Sequence, residues 1–281
     1  MSETALRVDG LRKTFRSRSD TRRDVVAVDD VSFQLARGQC LAIVGESGCG
    51  KTTIARIIAG LERPDTGTVA VGGHDVATRP HGRRARLRRA RAVQLVFQNP
   101  YSSFDPSQDI EASLDYALAL HGHRDRAERR RRTHQLLDRV GLGTRERESR
   151  PRWLSGGQLQ RAAIARGLCI EPDVLVLDEA VAALDVSIQA QILLLLDELR
   201  RELEVSYVFI SHDLAVVEAI SEQILVLRKG ALVESGATRD VLRDPRHEYT
   251  AMLLDSVPRP GWVPAGPRRE SAGENHEHVD G

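Results

Sequence analysis

Lysine is nearly missing from this chain: among 41 basic residues only Lys13, Lys51 and Lys229 are lysine, and the rest are arginine. A bias that runs through the whole sequence reads as compositional habit, so a lysine inside a glycine loop stands out. Cysteine is scarce as well. Cys40, Cys49 and Cys169 form no CxxC pair and no ligand-spaced cluster, which excludes a disulfide framework and a structural zinc site and suits a reducing compartment. Charge of one sign is lacking too. With 41 basic against 40 acidic residues the net charge is +1, so no global field draws the chain to nucleic acid or an anionic membrane. The arginine clusters at 83–91 and 129–132 have no interleaved aromatics and read as solvated helix faces. Long apolar runs are absent: the strongest, "VAALDVSIQAQILLLLDELRREL", is broken by Asp, Gln and Glu at helical intervals, as in a buried amphipathic helix. The opening "MSETALRVDG" has neither a basic stretch nor an apolar one, so no signal peptide is expected and the chain is placed in the cytoplasm, with a membrane partner left open.

What is present is a continuous α/β pattern in 281 residues, of which 41% are hydrophobic, enough for a sizeable core. Short β-rich runs ("LRVDGL", "VVAVDDVSFQL", "CLAIVG", "GTVAV", "VQLVFQ", "VLVLD", "SYVFIS", "QILVLRKG") alternate with helical segments, the signature of a mostly parallel sheet. The earliest runs follow one another without helices and predict a small antiparallel sheet at the N-terminal end. Between about 100 and 165 the strands stop, and "DIEASLDYALALHG" and "DRAERRRRTHQLLDRVGL" carry apolar residues at helical spacing, predicting an inserted helical subdomain. After about 258 the chain is rich in Pro, Gly and charge without a period, and 259–281 reads as a disordered tail.

"GESGCGKT" at 45–52 fits G-x-x-x-x-G-K-[ST], between a predicted strand and a predicted helix. Successive backbone N–H groups in such a loop make a concave anion site, and the helix N-terminus adds partial positive charge. Gly45, Glu46, Ser47, Gly48, Cys49, Gly50, Lys51, Thr52 and Thr53 are therefore candidates for holding a nucleotide. Lys51 would reach the β- and γ-phosphates and the Thr52 hydroxyl would ligate Mg²⁺. "VLVLDE" at 174–179 is a buried-type strand ending in two acids, placed where parallel sheets bind ligands. Asp178 would belong to the Mg²⁺ shell, and Glu179 would polarise the attacking water as general base. By itself the pair could equally open a loop.

"LSGGQLQRAAIARGL" followed closely by "EPDVLVLDEA", with the glycine loop upstream, resembles the signature and Walker B motifs of the ABC-transporter ATPase family. The resemblance covers roughly 1–258 and implies a P-loop NTPase (RecA-like) core, with the C-terminal stretch from about 230 to 258 as an extension. It also implies ATP and Mg²⁺, and two ATPase domains that enclose two nucleotides head to tail. Ser155, Gly156, Gly157 and Gln158 would then serve the partner's ATP, while the same serine and glycines also make an N-cap for the following helix. Gln98, in "VFQNP", matches the glutamine that reaches Mg²⁺ or water and connects to the transmembrane partner. His212, in "VFISHDLA", matches the histidine at the γ-phosphate; alone it would read as a surface or capping residue. Asp185, in "AALD", matches the aspartate facing the partner subunit. Phe15 has two readings, a stack on adenine or a core phenylalanine. The chain departs from the family's pattern at Ala180, where proline is common, and at Ala182, where serine or threonine is common; both bear on how the two sites are coupled.

"FQNPYSSFDP", "LDVSIQAQIL" and "VESGATRDVLRDPRHEYTAMLLDSVP" are similar to the oligopeptide, dipeptide and nickel importer ATPases, with Glu248 where His-Pro-Tyr-Thr has proline. The resemblance implies a second, non-identical ATPase, two permease subunits, an indirectly linked substrate-binding protein, and residence at the cytoplasmic face of the membrane. Peptide is the expected solute, with nickel or another small solute as the alternative. A soluble ABC ATPase of DNA repair or translation is the rival of different class; nucleic acid is not expected as a partner.

Overall fold

The computed structural model describes residues 4–16, 24–78, 80 and 82–256; the tail expected at 259–281 lies outside them. Among the described residues the chain forms strands β1 (Thr4–Phe15), β2 (Val25–Ala36), β3 (Cys40–Val44), β4 (Thr66–Val71), β5 (His74–Asp75), β6 (Val93–Val96), β7 (Val174–Asp178), β8 (Ser206–Ile210), β9 (Gln223–Arg228) and β10 (Ala231–Ala237). The helices are α1 (Lys51–Ile58), α2 (Gly82–Ala92), α3 (Ile110–Leu120), α4 (Arg126–Arg139), α5 (Thr144–Arg147), α6 (Gly156–Leu168), α7 (Val186–Leu203), α8 (Leu214–Ile220), α9 (Thr238–Arg243) and α10 (Glu248–Asp255).

Two sheets carry the fold. The N-terminal strands form an antiparallel sheet in the order β2-β1-β4-β5, and the larger sheet runs β10-β9-β3-β8-β7-β6. Within the latter, β9, β3, β8, β7 and β6 are parallel and only the edge strand β10 is antiparallel. The central strands β3, β7 and β8 are buried along their whole length, which is why they read as unbroken apolar runs instead of alternating ones. Their side chains still divide by parity. Leu41, Ile43, Val174, Val176, Val208 and Ile210 join a core with Ile54 and Ile57 of α1 and with Leu6 and Val8 of β1. Ala42, Leu175, Leu177 and Phe209 face the other way, onto Ile164 of α6, Leu196 of α7 and Val217 of α8. The result is three layers with the parallel sheet in the middle.

Helices α3 to α6 lie between β6 and β7 in the chain. Each of α3 and α4 begins at an aspartate, Asp109 or Asp125, whose side chain accepts backbone N–H bonds of the first turn, as N-caps do. The arginine clusters fall on α2, which buries no residue, and on α4, where Arg131 and Arg132 both pair with Glu128. The strand β10 was not among the runs singled out from sequence: its first four residues are half-buried, its last three are exposed and it contains glycine, so neither an apolar run nor a clean alternation marks it. Edge position explains this, since only one side of β10 is paired.

Candidate functional site

Four parallel strands adjacent in the sheet, β3, β8, β7 and β6, deliver residues at their C-terminal ends. The glycine loop follows β3, Ser211 and His212 follow β8, Asp178 and Glu179 end β7, and Gln98 follows β6. Ligands of open α/β sheets bind at this edge.

The loop is shaped by contact with the chain's own backbone. Gly45 sits at φ 147°, and a Cβ there would stand 2.2 Å from the carbonyl oxygen of Leu227; Gly50, at φ 109°, would meet the Ala27 carbonyl oxygen at 2.2 Å. No side chain fits at either place, so these two glycines are required by β9 and β2 behind the loop, whatever lies in front of it. Lys51 is buried, and its Nζ donates to the carbonyls of Gly45 at 2.7 Å and Glu46 at 2.8 Å, spanning the loop it follows. Glu46, Ser47, Gly48 and Thr52 are exposed and Thr53 is half-buried. Cys49 is turned inward at 5% exposure, and burial raises its thiol above the ordinary range; any part it plays at this edge belongs to its backbone.

The Thr52 hydroxyl lies 3.4 Å from Asp178 Oδ1 as donor. Burial, followed by the neighbouring charge of Glu179, raises the Asp178 carboxyl above the usual carboxylate range, against the opposing pull of the Thr52 hydroxyl, Arg56 and Lys51. Glu179 has φ 49°, and its N–H donates to the Ile210 carbonyl at 3.0 Å, so the chain leaves β7 in a left-handed kink tied to the end of β8. That kink presents the Glu179 carboxylate to two other predicted residues. Gln98 Nε2 donates to Glu179 Oε2 at 2.8 Å, and His212 Nδ1 lies 3.5 Å from Oε1. Ala180 is buried and Ala182 donates its N–H to the Glu179 carbonyl at 3.1 Å.

The second glycine turn is elsewhere. Ser155 caps α6 in a capping box with Gln158, whose side chain accepts from the Ser155 N–H at 3.0 Å. A Cβ on Gly157 would meet Ile188 Cγ2 at 2.7 Å, and one on Gly156 would touch Leu184 at 3.7 Å, so α6 starts pressed on the entry to α7. Asp185 caps α7 through its Oδ1, which accepts from Ile188 N and from the Ser187 hydroxyl. Among the described residues no hydrogen bond or ion pair joins 155–158 to the glycine loop. Phe15, at the end of β1, is 40% exposed with Lys13 Nζ 5.1 Å from its ring centre; it is a surface residue, and its reading as a core phenylalanine is thereby corrected, because the end of β1 runs past the buried part of its sheet.

One contact of the loop was missed from sequence. The Glu46 N–H donates to the buried hydroxyl of Tyr249, on α10, at 3.1 Å. The "HEYT" stretch served only as a marker of resemblance, and 203 residues of separation leave no local signal.

A phosphate-type glycine loop between a parallel strand and a helix, with two acids, a glutamine and a histidine at the neighbouring strand ends, defines the class: a P-loop nucleoside triphosphatase. Solved structures agree. The dimeric ATP-binding cassette MJ0796, in a post-hydrolysis state bound to ADP and Pi, superposes with TM-score 0.74 at 27% identity, covering 83% of this chain and 99% of that one. CbiO1 from Clostridium perfringens, part of an ABC transporter complex, gives 0.74 at 26% identity over 86% of this chain and 92% of its own. The family model described as ABC transporter matches residues 28–182, and one described as the C-terminal region of oligopeptide/dipeptide transporters matches 233–280. The chain belongs to the ABC-transporter ATPase family and is an ATP-binding, ATP-hydrolysing cassette. Among its relatives is the dipeptide transport ATP-binding protein DppF of Haemophilus influenzae, 45% identical over 84% of this chain and 72% of that protein. DppF of Escherichia coli is 44% identical over 84% and 70%. The glutathione import ATP-binding protein GsiA of Pectobacterium atrosepticum is 42% identical over 92% of this chain, which spans 42% of that longer protein.

Proposed function

We propose that this chain is the ATP-hydrolysing subunit that energises an ABC importer of dipeptides or oligopeptides. The observation that carries the chemical part is the meeting of Gln98, Asp178, Glu179 and His212 with the glycine loop at four neighbouring strand ends. The importer part rests on relatives named for dipeptide, peptide and glutathione import and on the matched C-terminal region.

In this reading the loop N–H groups from 47 to 53 receive the phosphates while that of Glu46 stays on the Tyr249 hydroxyl, Lys51 turns from the loop carbonyls to the β- and γ-phosphates, and Phe15 stacks on adenine. Glu179 takes a proton from the attacking water, and its hydrogen bond from Gln98 fixes the carboxylate's direction. His212 contacts the γ-phosphate. Thr52, Asp178 and Gln98 supply oxygen donors suited to Mg²⁺, and the observation that fits a cation there is the Thr52 hydroxyl lying 3.4 Å from the Asp178 carboxylate at the end of the glycine loop. That ion, when bound, would neutralise charge on the phosphate oxygens. The hydroxyl and N–H groups of Ser155, Gly156, Gly157 and Gln158, at the start of α6, would clamp the γ-phosphate held by a second cassette, with Asp185 facing that subunit.

No helix among the described residues is long and apolar enough to cross a membrane. Attachment at the cytoplasmic face would come through two permease subunits, docked near Gln98 and residues 99–110. The second cassette would be non-identical and a substrate-binding protein would deliver the solute. The test is affinity purification of the tagged Glu179→Gln chain from detergent-solubilised native membranes with Mg-ATP, followed by mass spectrometry. Two permease subunits and a distinct second ATPase are expected. Recovery with ribosomes or nucleic acid and without membrane proteins would overturn the importer reading.

A further inference from the structure

The segment after β9 is bound to the back of the nucleotide loop at two points. The Gly230 N–H donates to the Cys49 carbonyl at 3.0 Å, and the Glu46 N–H donates to the Tyr249 hydroxyl at 3.1 Å. Tyr249 is 2% exposed, with the Arg228 guanidinium carbon 4.9 Å from its ring centre. Its place on α10 is set from both directions. The Glu234 carboxylate on β10 accepts the N–H groups of Arg246 and His247 at 2.9 and 3.1 Å, and His247 Nδ1 caps α10 by accepting the Tyr249 N–H at 3.0 Å. Glu46, Ser47 and Gly48 are otherwise exposed, so this hydroxyl restrains the least buried part of the loop. Tyr249 also lies outside the matched cassette region 28–182 and inside the matched C-terminal region 233–280.

We infer that Tyr249 is a positioning residue for the nucleotide loop: by holding the Glu46 N–H, it couples the seating of the C-terminal extension to the chain's affinity for ATP. The inference rests on the nucleotide reading above. A backbone N–H deprived of its acceptor is satisfied elsewhere when the chain can move. A loop released from Tyr249 would then spend part of its time in arrangements that do not receive phosphate, and apparent affinity falls by the fraction that remains competent. Chemistry on bound ATP takes place at Glu179, which Tyr249 does not touch, so turnover at saturation is unaffected.

The test compares the full chain with Tyr249→Phe, which keeps the ring, and with Met252→Ala, which alters an exposed neighbour on the same helix. ATP affinity is measured by direct titration, and KM and kcat by phosphate release. For Tyr249→Phe, Kd and KM for ATP should rise on the order of five-fold, the worth of one net hydrogen bond, with kcat within about two-fold of the parent and Met252→Ala leaving Kd in place. Unchanged affinity in Tyr249→Phe, or an equal loss in Met252→Ala, would overturn the inference. If Tyr249→Phe does not accumulate, hydrogen exchange at the Glu46 amide of the unaltered chain decides: slow exchange supports the contact and exchange at the rate of free peptide refutes it. Failure of the unaltered chain to bind ATP would instead overturn the nucleotide reading itself, a separate result.

Discussion

Replacing Glu179 by glutamine removes a base while changing almost nothing in shape. The carboxylate has two neighbours, Gln98 Nε2 at 2.8 Å from Oε2 and His212 Nδ1 at 3.5 Å from Oε1. A glutamine carbonyl still accepts from Gln98, and its amide still reaches towards the imidazole. The φ of 49° costs glutamine no more than glutamate, since both carry the same Cβ and Cγ. Fold stability should therefore stay within about 0.5 kcal/mol, as for other substitutions that break no buried contact. The chemical loss is much larger. A positioned general base contributes about 10²–10⁴ in rate, or roughly 2.7–5.4 kcal/mol in the barrier at about 1.36 kcal/mol per tenfold. Single-turnover phosphate release should fall by that factor while ATP titration gives the parental Kd. Hydrolysis within about tenfold of the parent would refute the base assignment. A collapse of binding instead of turnover would show that the carboxylate holds the loop together and does no proton transfer.

Two further outcomes follow from the same geometry. Asp178 carries a pKa raised above its ordinary 3.8 by burial and by Glu179; an acid whose folded value is raised costs stability once pH exceeds the unfolded value, and the cost is complete above the folded one. Asp178→Asn should therefore stabilise the nucleotide-free chain at pH above the raised folded value, by about 1 kcal/mol or roughly 2–4 °C in Tm, with the gain fading as pH falls towards 3.8; calorimetry across pH checks this, and a gain that grows on acidification would contradict it. Gly157→Ala puts a methyl 2.7 Å from Ile188 Cγ2, beside a branched side chain stiff at χ1, and should cost about 1–3 kcal/mol. Urea titrations of Gly157→Ala, Ile188→Ala and the double variant should show most of that cost relieved in the double; simple additivity would mean that the α6–α7 contact does not constrain Gly157.

Much of the architecture was legible because its signals are local. Buried strands such as "VLVLD" announce themselves by apolar continuity, and "GESGCGKT" names its own strand–loop–helix setting. The serine and glycines at 155–157 read as an N-cap for a helix at 158–169, and the structure has Ser155 as the cap of α6, which starts two residues earlier at Gly156 because Ser155 and Gln158 close a capping box over the first turn. β10 was not legible, since an edge strand paired on one side needs neither a run nor a strict alternation. Phe15 could be read two ways, because an aromatic at the end of a strand carries no mark of whether the sheet continues past it.

The order and type of most elements along the chain, the edge strand β10 excepted, and the chemical kinds of side chain at each strand end follow from sequence alone, for they depend on spacings of a few residues. Only the tertiary structure decided that strands ending at 44, 96, 178 and 210 lie side by side as β3-β8-β7-β6. That order brings Gln98 and His212 to one carboxylate across 81 and 33 positions of chain. It also decided why Gly45 and Gly50 must be glycine, since the 2.2 Å approaches come from Leu227 and Ala27, and it laid a tyrosine of the C-terminal extension against the loop. Pairing and close approach are set by how whole layers pack, and no window along the chain contains both partners of such a contact.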